Sequence, residues 1–241
     1  MTARTQWPLI LIAISYPSLL TWFYFIALAG ETAAVQQTAY TAGKLVQFGF
    51  PIVWAWFYRR SAFGLPKPRL AGVLEGLGFG ALVAGGMLAA YHFWLKPAAF
   101  FSAATEPILA KVTGLGLLTP VAFIALGVFY SLGHSLLEEY YWRWFVFARL
   151  AEAMRLRTAI IVSSIGFAAH HVLVIGVYFG WTSLTTWLFS FCVAIGGAAW
   201  AWLYHRSGSL VGPWLSHLLV DASIFAIGYD VVFNRGGAIH A

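Results

Sequence analysis

"LGLLTPVAFIALGVFYSLGHSLLEEYYWRWFVF" (residues 115–147) decides the fold. It is apolar for longer than the roughly 20 residues that a helix needs to cross a hydrocarbon core, yet it carries His134, Glu138, Glu139 and Arg143. The rest of the chain has the same character. Of 241 residues, 61% are hydrophobic and 9% charged, with 12 Trp and 20 Phe, and the mean hydropathy is +0.80. Soluble domains carry about 25% charged residues. The composition therefore predicts an all-α, polytopic membrane helix bundle, taken as a single integral membrane domain over 1–241.

Working outward, the apolar stretches predict about seven transmembrane helices near 8–29, 38–58, 71–95, 115–147, 158–179, 183–204 and 209–231. The first is too long for the apolar region of a signal peptide and lacks a convincing cleavage site, so it reads as a retained span. "KPAAFFSAATEPILAKVTGLG" (96–116) mixes Pro, Gly and charge and reads as a loop with a short interfacial helix.

The net charge is +6. Its Lys and Arg are dispersed between spans rather than gathered on a stripe, which argues against a nucleic-acid partner. Arg4, then Arg59, Arg60, Lys67 and Arg69, then Arg149, Arg155 and Arg157, then Arg206 fall on one side of the predicted spans; Lys96, Lys111 and Arg235 fall on the other. The positive-inside rule puts the N-terminus in the cytoplasm of a multi-pass protein, read as a bacterial inner (cell) membrane protein. The lone Cys192 excludes an internal disulfide.

Ionisable groups at membrane depth cost about 3 kcal/mol or more each on insertion scales and mark function by default. They gather on three spans: His134, Glu138, Glu139 and Arg143; His170 and His171; His217 and Asp221. Glu139 with Arg143, His134 with Glu138, and His217 with Asp221 are each four residues apart and share a helical face. Glu138 and Glu139 diverge by about 100°. Counted from the cytoplasmic span ends at about 1.5 Å per residue, Glu138 lies about 18 Å deep, His171 about 20 Å and His217 about 14 Å. Similar depths predict one shared site.

A carboxylate beside an imidazole can take a proton from a water that attacks a carbonyl, and a second imidazole can donate to the oxyanion. Two adjacent glutamates need separate tasks, because ionising both in one dry place is unfavourable. Arg143 lets Glu139 stay charged as a support, leaving Glu138 to exchange protons. His134 and His170 read as structural interhelical hydrogen-bonders. Lys44, amid Gln36, Gln37 and Gln47, reads as lining a polar groove or snorkelling.

Three motifs occur in order, each on its own span: "EEYYWR" (138–143) as EExxxR, "FAAHH" (167–171) as FxxxH, and "HLLVD" (217–221) as HxxxN/D. With the surrounding "RSGSLVGPWLSHLLVD", they resemble the CPBP family, the glutamate-type intramembrane proteases that include CAAX prenyl endopeptidases and bacterial Abi proteins. The resemblance covers a motif-bearing core of 115–231 and implies a metal-independent intramembrane endopeptidase without cofactors. Glu138 and His171 would activate water. Glu139 and Arg143 would brace the helix, and His217 with residue 221 would stabilise the oxyanion. Its partners would be membrane lipid and a peptide or membrane-protein substrate, such as a C-terminal sorting signal or small peptide cut near the cytoplasmic face. Asp221 stands where many members have Asn; a carboxylate cannot donate to an oxyanion, so it is expected to accept from His217 and leave an imidazolium facing the oxyanion.

Rival readings are a zinc protease ligated by Glu138, His171 and His217 despite the lack of HExxH, a proton relay or transporter, and a non-enzymatic immunity scaffold.

Overall fold

The computed structural model describes residues 3–59 and 68–234, with no strand among them. Arg60, Lys67 and Arg235, which contribute to the expected orientation, lie outside the described residues, as do the side chains of Arg4 and Arg59. Among the described residues, six helices are long and apolar enough to cross a membrane: α1 (Trp7–Ala27), α3 (Leu70–Leu95), α5 (Pro120–Ala153), α6 (Leu156–Phe179), α7 (Leu184–Ser207) and α8 (Val211–Phe233). The expected second span is α2 (Ala33–Trp54), which has the length, while Gln36, Gln37, Lys44 and Gln47 dilute its hydropathy and keep it out of that set. Large apolar side chains such as Leu45, Leu82, Val121 and Leu184 are exposed, as a lipid environment allows. The protein is an all-helical, multi-pass membrane protein, and its helix count is compatible with about seven spans.

Local chemistry explains the helix ends. The fourth span begins at Pro120 rather than at 115, because Thr119 caps it: its hydroxyl accepts from the Ala122 N–H at 3.2 Å. Proline then fills the first position, where no N–H is needed. Thr32 caps α2 in the same way, so that helix starts several residues before the expected 38. Gly208, at φ +68°, closes α7 with its N–H on the Tyr204 carbonyl at 2.8 Å, a left-handed conformation in which a side chain is strained. Between the third and fourth spans a short helix does form, α4 (Ser102–Gly114).

The chain divides into two compact units. The first holds α1, α2, the part of α5 from Leu137 onward, α6 and α7; the second holds α3, α4, α5 up to Leu136, and α8.

In the first unit, α6 packs chiefly on α7 and then on α1. Small residues allow the approach: a Cβ on Gly166 would come within 2.8 Å of Ile14 and 3.1 Å of Trp142, and one on Gly197 within 3.2 Å of Phe167. The Tyr141 hydroxyl donates to the Ala13 carbonyl at 2.6 Å and ties α5 to α1.

In the second unit, α3 and α8 touch backbone to backbone. Gly72, Gly76 and Gly80 recur every four residues along α3 and face Gly212 and Ser216 of α8, the small-residue pattern by which membrane helices reach close van der Waals contact. At their far ends Asp230 of α8 accepts from the Tyr91 hydroxyl and pairs with Lys96, each at 2.6 Å, and accepts from Asn234 at 3.2 Å. Val112 of α4 packs with Phe123 and Val232.

This seam gives a prediction. A Cβ on Gly76 would overlap the Gly212 carbonyl, whereas one on Gly86 has nothing within 4 Å. Gly76→Val should therefore lower stability in detergent by about 1–3 kcal/mol or more, the cost of overpacking against atoms that cannot swing aside. Gly86→Val should melt close to wild type. Coincident melting curves for the two variants would mean that the helices are not this close.

Candidate functional site

The first unit builds a charged centre around the two glutamates of α5. Glu138 is 4% exposed, Glu139 0% and Arg143 2%. Arg143 Nε lies 3.1 Å from Glu139 Oε2. Its guanidinium sits between two rings, 4.7 Å from the centre of Phe167 on α6 and 5.1 Å from that of Trp200 on α7, and Nη2 donates to the Gly197 carbonyl at 3.3 Å. One cation thus answers a buried carboxylate and joins three helices. Arginine suits this because its planar fork combines hydrogen bonding with stacking and is weakly hydrated for a cation.

From Tyr140 to Phe147 the helix opens into a π-helical stretch, a feature frequently found at functional sites. It follows directly on the glutamate pair.

Glu138, on the adjacent helical face, meets an imidazole. Its Oε1 lies 3.5 Å from His170 Nε2. His170 is buried and lies nearly parallel to Trp142, at 6.0 Å and 4°, while the edge of Phe167 meets it at 5.5 Å. His171, the histidine of the FxxxH pattern, stands next to it with ring centres 4.1 Å apart. Its Nδ1 lies 3.0 Å from the Phe167 carbonyl. A carbonyl only accepts, so Nδ1 carries the proton and the neutral ring keeps its lone pair on Nε2. His171 is therefore set in the tautomer whose Nε2 can act as a base.

The remaining two site residues belong to the second unit. His217 Nε2 lies 3.5 Å from Asp221 Oδ1, as their i,i+4 spacing requires, with both side chains largely withdrawn from solvent. His134, in the same unit, lies against Tyr130 with ring centres 4.7 Å apart and tilted by 38°.

Three further residues of the first unit are withdrawn from solvent: His170, Lys44 and Gln47. His170, read as an interhelical hydrogen-bonder, lies within ion-pair distance of Glu138 on the neighbouring helix. No sequence signal separates the two histidines: Ala159, Ser163 and Gly166 lead to His170 at three- and four-residue steps, and Ser164 and Ala168, also buried, lead to His171 in the same way. Lys44 interacts electrostatically with both Glu138 and His170. Gln47, one turn along α2, is buried. Among the described residues, no three His, Cys, Asp or Glu side chains gather as a group able to hold a metal ion.

Residues 120–223 match the family described as Rce1-like, type II CAAX prenyl endopeptidase Rce1-like. That range contains Glu138, Glu139, Arg143, His170, His171, His217 and Asp221. No curated protein and no solved structure matches the chain.

Proposed function

We propose a mechanism from the premise that this chain belongs, through residues 120–223, to the Rce1-like family of type II CAAX prenyl endopeptidases and is a CAAX-protease-like peptidase of the membrane. Glu138 takes a proton from a water molecule, with His171 as the neighbouring base, and the water oxygen forms a bond to the scissile carbonyl carbon. The oxyanion that develops needs a hydrogen-bond donor, and His217, whose Nε2 lies 3.5 Å from Asp221 Oδ1, is the candidate for that role. Collapse of the intermediate breaks the carbon–nitrogen bond. Glu138 returns its proton to the leaving amine. No step requires a metal ion.

The observation that carries this reading is the division of labour between two adjacent carboxylates. Glu139 is neutralised by Arg143 at 3.1 Å, while Glu138 lies 3.5 Å from a histidine nitrogen. A buried carboxylate facing an imidazole, whose own charge depends on a proton, is a group whose proton affinity can be used. His170 holds the Glu138 carboxylate in place and is a positioning residue.

The substrate is a peptide or membrane protein, with a C-terminal sorting signal or a small peptide as the favoured class. It is cut near the cytoplasmic face of the cell membrane, with the N-terminus in the cytoplasm as the Arg and Lys distribution supports. The test compares the membrane proteome and peptidome of cells carrying the wild type or Glu138→Ala. At least one new chain end should vanish in the variant, with its uncut precursor accumulating. Identical sets of termini would remove the proteolytic reading.

A further inference from the structure

Helix α2 lies outside the family-matched residues, yet it turns a cation and an amide inward. Its buried and half-buried positions include Tyr40, Lys44, Gln47, Pro51 and Trp54, steps of three and four that define one face. This part of α2 packs on α5: Trp54 meets Phe145 at 5.3 Å, and Phe48 meets Tyr141 at 6.2 Å. Apolar packing accounts for Pro51 and Trp54. It does not account for Lys44 or Gln47.

Gln47 is 1% exposed, and among the described residues neither Oε1 nor Nε2 has a hydrogen-bond partner. Leaving a buried amide unbonded is destabilising, so Gln47 holds hydrogen-bonding capacity that a bound polar group can take up. Pro51 adds to this, because it has no N–H with which to close the helical bond on the Gln47 carbonyl. Lys44 Nζ lies over the rings of Tyr40 and Phe48, at 5.4 and 5.3 Å. Among the described residues no carboxylate lies within ion-pair distance of it.

We propose that Lys44 and Gln47 form a carboxylate-binding subsite beside Glu138, and that its ligand is the C-terminal α-carboxylate of the peptide to be cleaved. The proposal rests on the peptidase reading above. An ammonium with three donors binds one carboxylate oxygen, the Gln47 NH₂ binds the other, and the Gln47 carbonyls are left to accept from the peptide's own N–H groups. A side-chain carboxylate within an apolar segment is costly at membrane depth, whereas every free peptide end brings one. The packing of Phe48 on Tyr141, which lies one turn from Glu138 on α5, brings this face of α2 to the charged centre.

The test uses the full chain in detergent micelles and one fluorescein-labelled apolar decapeptide made in two forms, with a free C-terminal carboxylate and with a C-terminal carboxamide. Binding is followed by fluorescence anisotropy in a Glu138→Gln background, so no turnover is needed. The acid should bind at least about tenfold more tightly than the amide, a difference of about 1.4 kcal/mol. Lys44→Met should abolish that difference by weakening the acid alone, and Lys44→Arg should retain most of it. Gln47→Leu, an apolar replacement of similar size, should weaken the acid to a smaller extent and stands in if Lys44→Met does not fold. Equal or absent binding of the two peptides, or an acid preference that survives Lys44→Met, overturns the subsite. So does an amide peptide whose affinity is restored by one internal Asp, because the site then reads a side chain rather than a chain end. The two readings fail separately: acid preference without cleavage by the wild type removes only the peptidase, and cleavage without preference removes only the subsite.

Discussion

Glu138→Gln, assayed on purified protein in lipid vesicles, is expected to lower the rate of peptide-bond hydrolysis by about 10³-fold, within the 10²–10⁴ span that general acid–base catalysis contributes. The substitution keeps the size and shape of the side chain and removes only its ability to take a proton from water. At a position 4% exposed and 3.5 Å from His170 Nε2, the amide oxygen still has a donor to accept from. The unfolding temperature should therefore stay close to wild type while kcat falls and KM changes little, since the group acts on the reacting water rather than on the bound chain. A variant retaining more than about a tenth of wild-type kcat would remove Glu138 from the role of base.

Arg143→Met is expected to do the reverse and act on the fold first. Removing one partner of a buried pair strands the other charge, at a cost of about 3–5 kcal/mol. Glu139 is fully buried, and Arg143 also donates to Gly197 and fills the space between Phe167 and Trp200. Unfolding in mixed micelles should show the loss directly, with activity falling in step because Glu138 is the neighbouring residue on the same helix. Adding Glu139→Gln to Arg143→Met should restore much of the stability, since the stranded carboxylate is then gone. Failure of the double variant to recover would show that packing of the guanidinium between the two rings, rather than its charge, is what the fold uses.

Much of this site was legible in the chain because helical geometry is local. The i,i+4 spacings of Glu139 with Arg143 and of His217 with Asp221 predicted pairs, and the structure holds them at 3.1 and 3.5 Å. The span limits were legible to within a few residues, with the larger errors at Thr32 and Thr119, where a hydroxyl cap starts the helix and hydropathy carries no such mark, and at Ala153, where α5 runs past the expected 147. Two things were not legible. His170 and His171 are adjacent, and one helix by itself does not say which of two faces meets α5. The stripe of Ser163, Gly166 and Phe167 that includes His170 answers that only once α5 and α1 are seen packed against it. Lys44 and Gln47 read as a generic polar groove, since nothing in α2 names its neighbour.

By itself the amino-acid sequence determined that the chain is an all-helical membrane protein, which groups pair along each helix, and that residues 120–223 match the Rce1-like family. Only the tertiary structure decided that His170 lies beside Glu138, how Arg143 spans three helices, and that α2 packs on α5. The physical reason is range. Hydropathy, capping and i,i+4 pairing are set by neighbours within one or two turns, whereas the facing of one helix by another is set by side-chain volumes distributed over several helices at once, and no single segment contains that information.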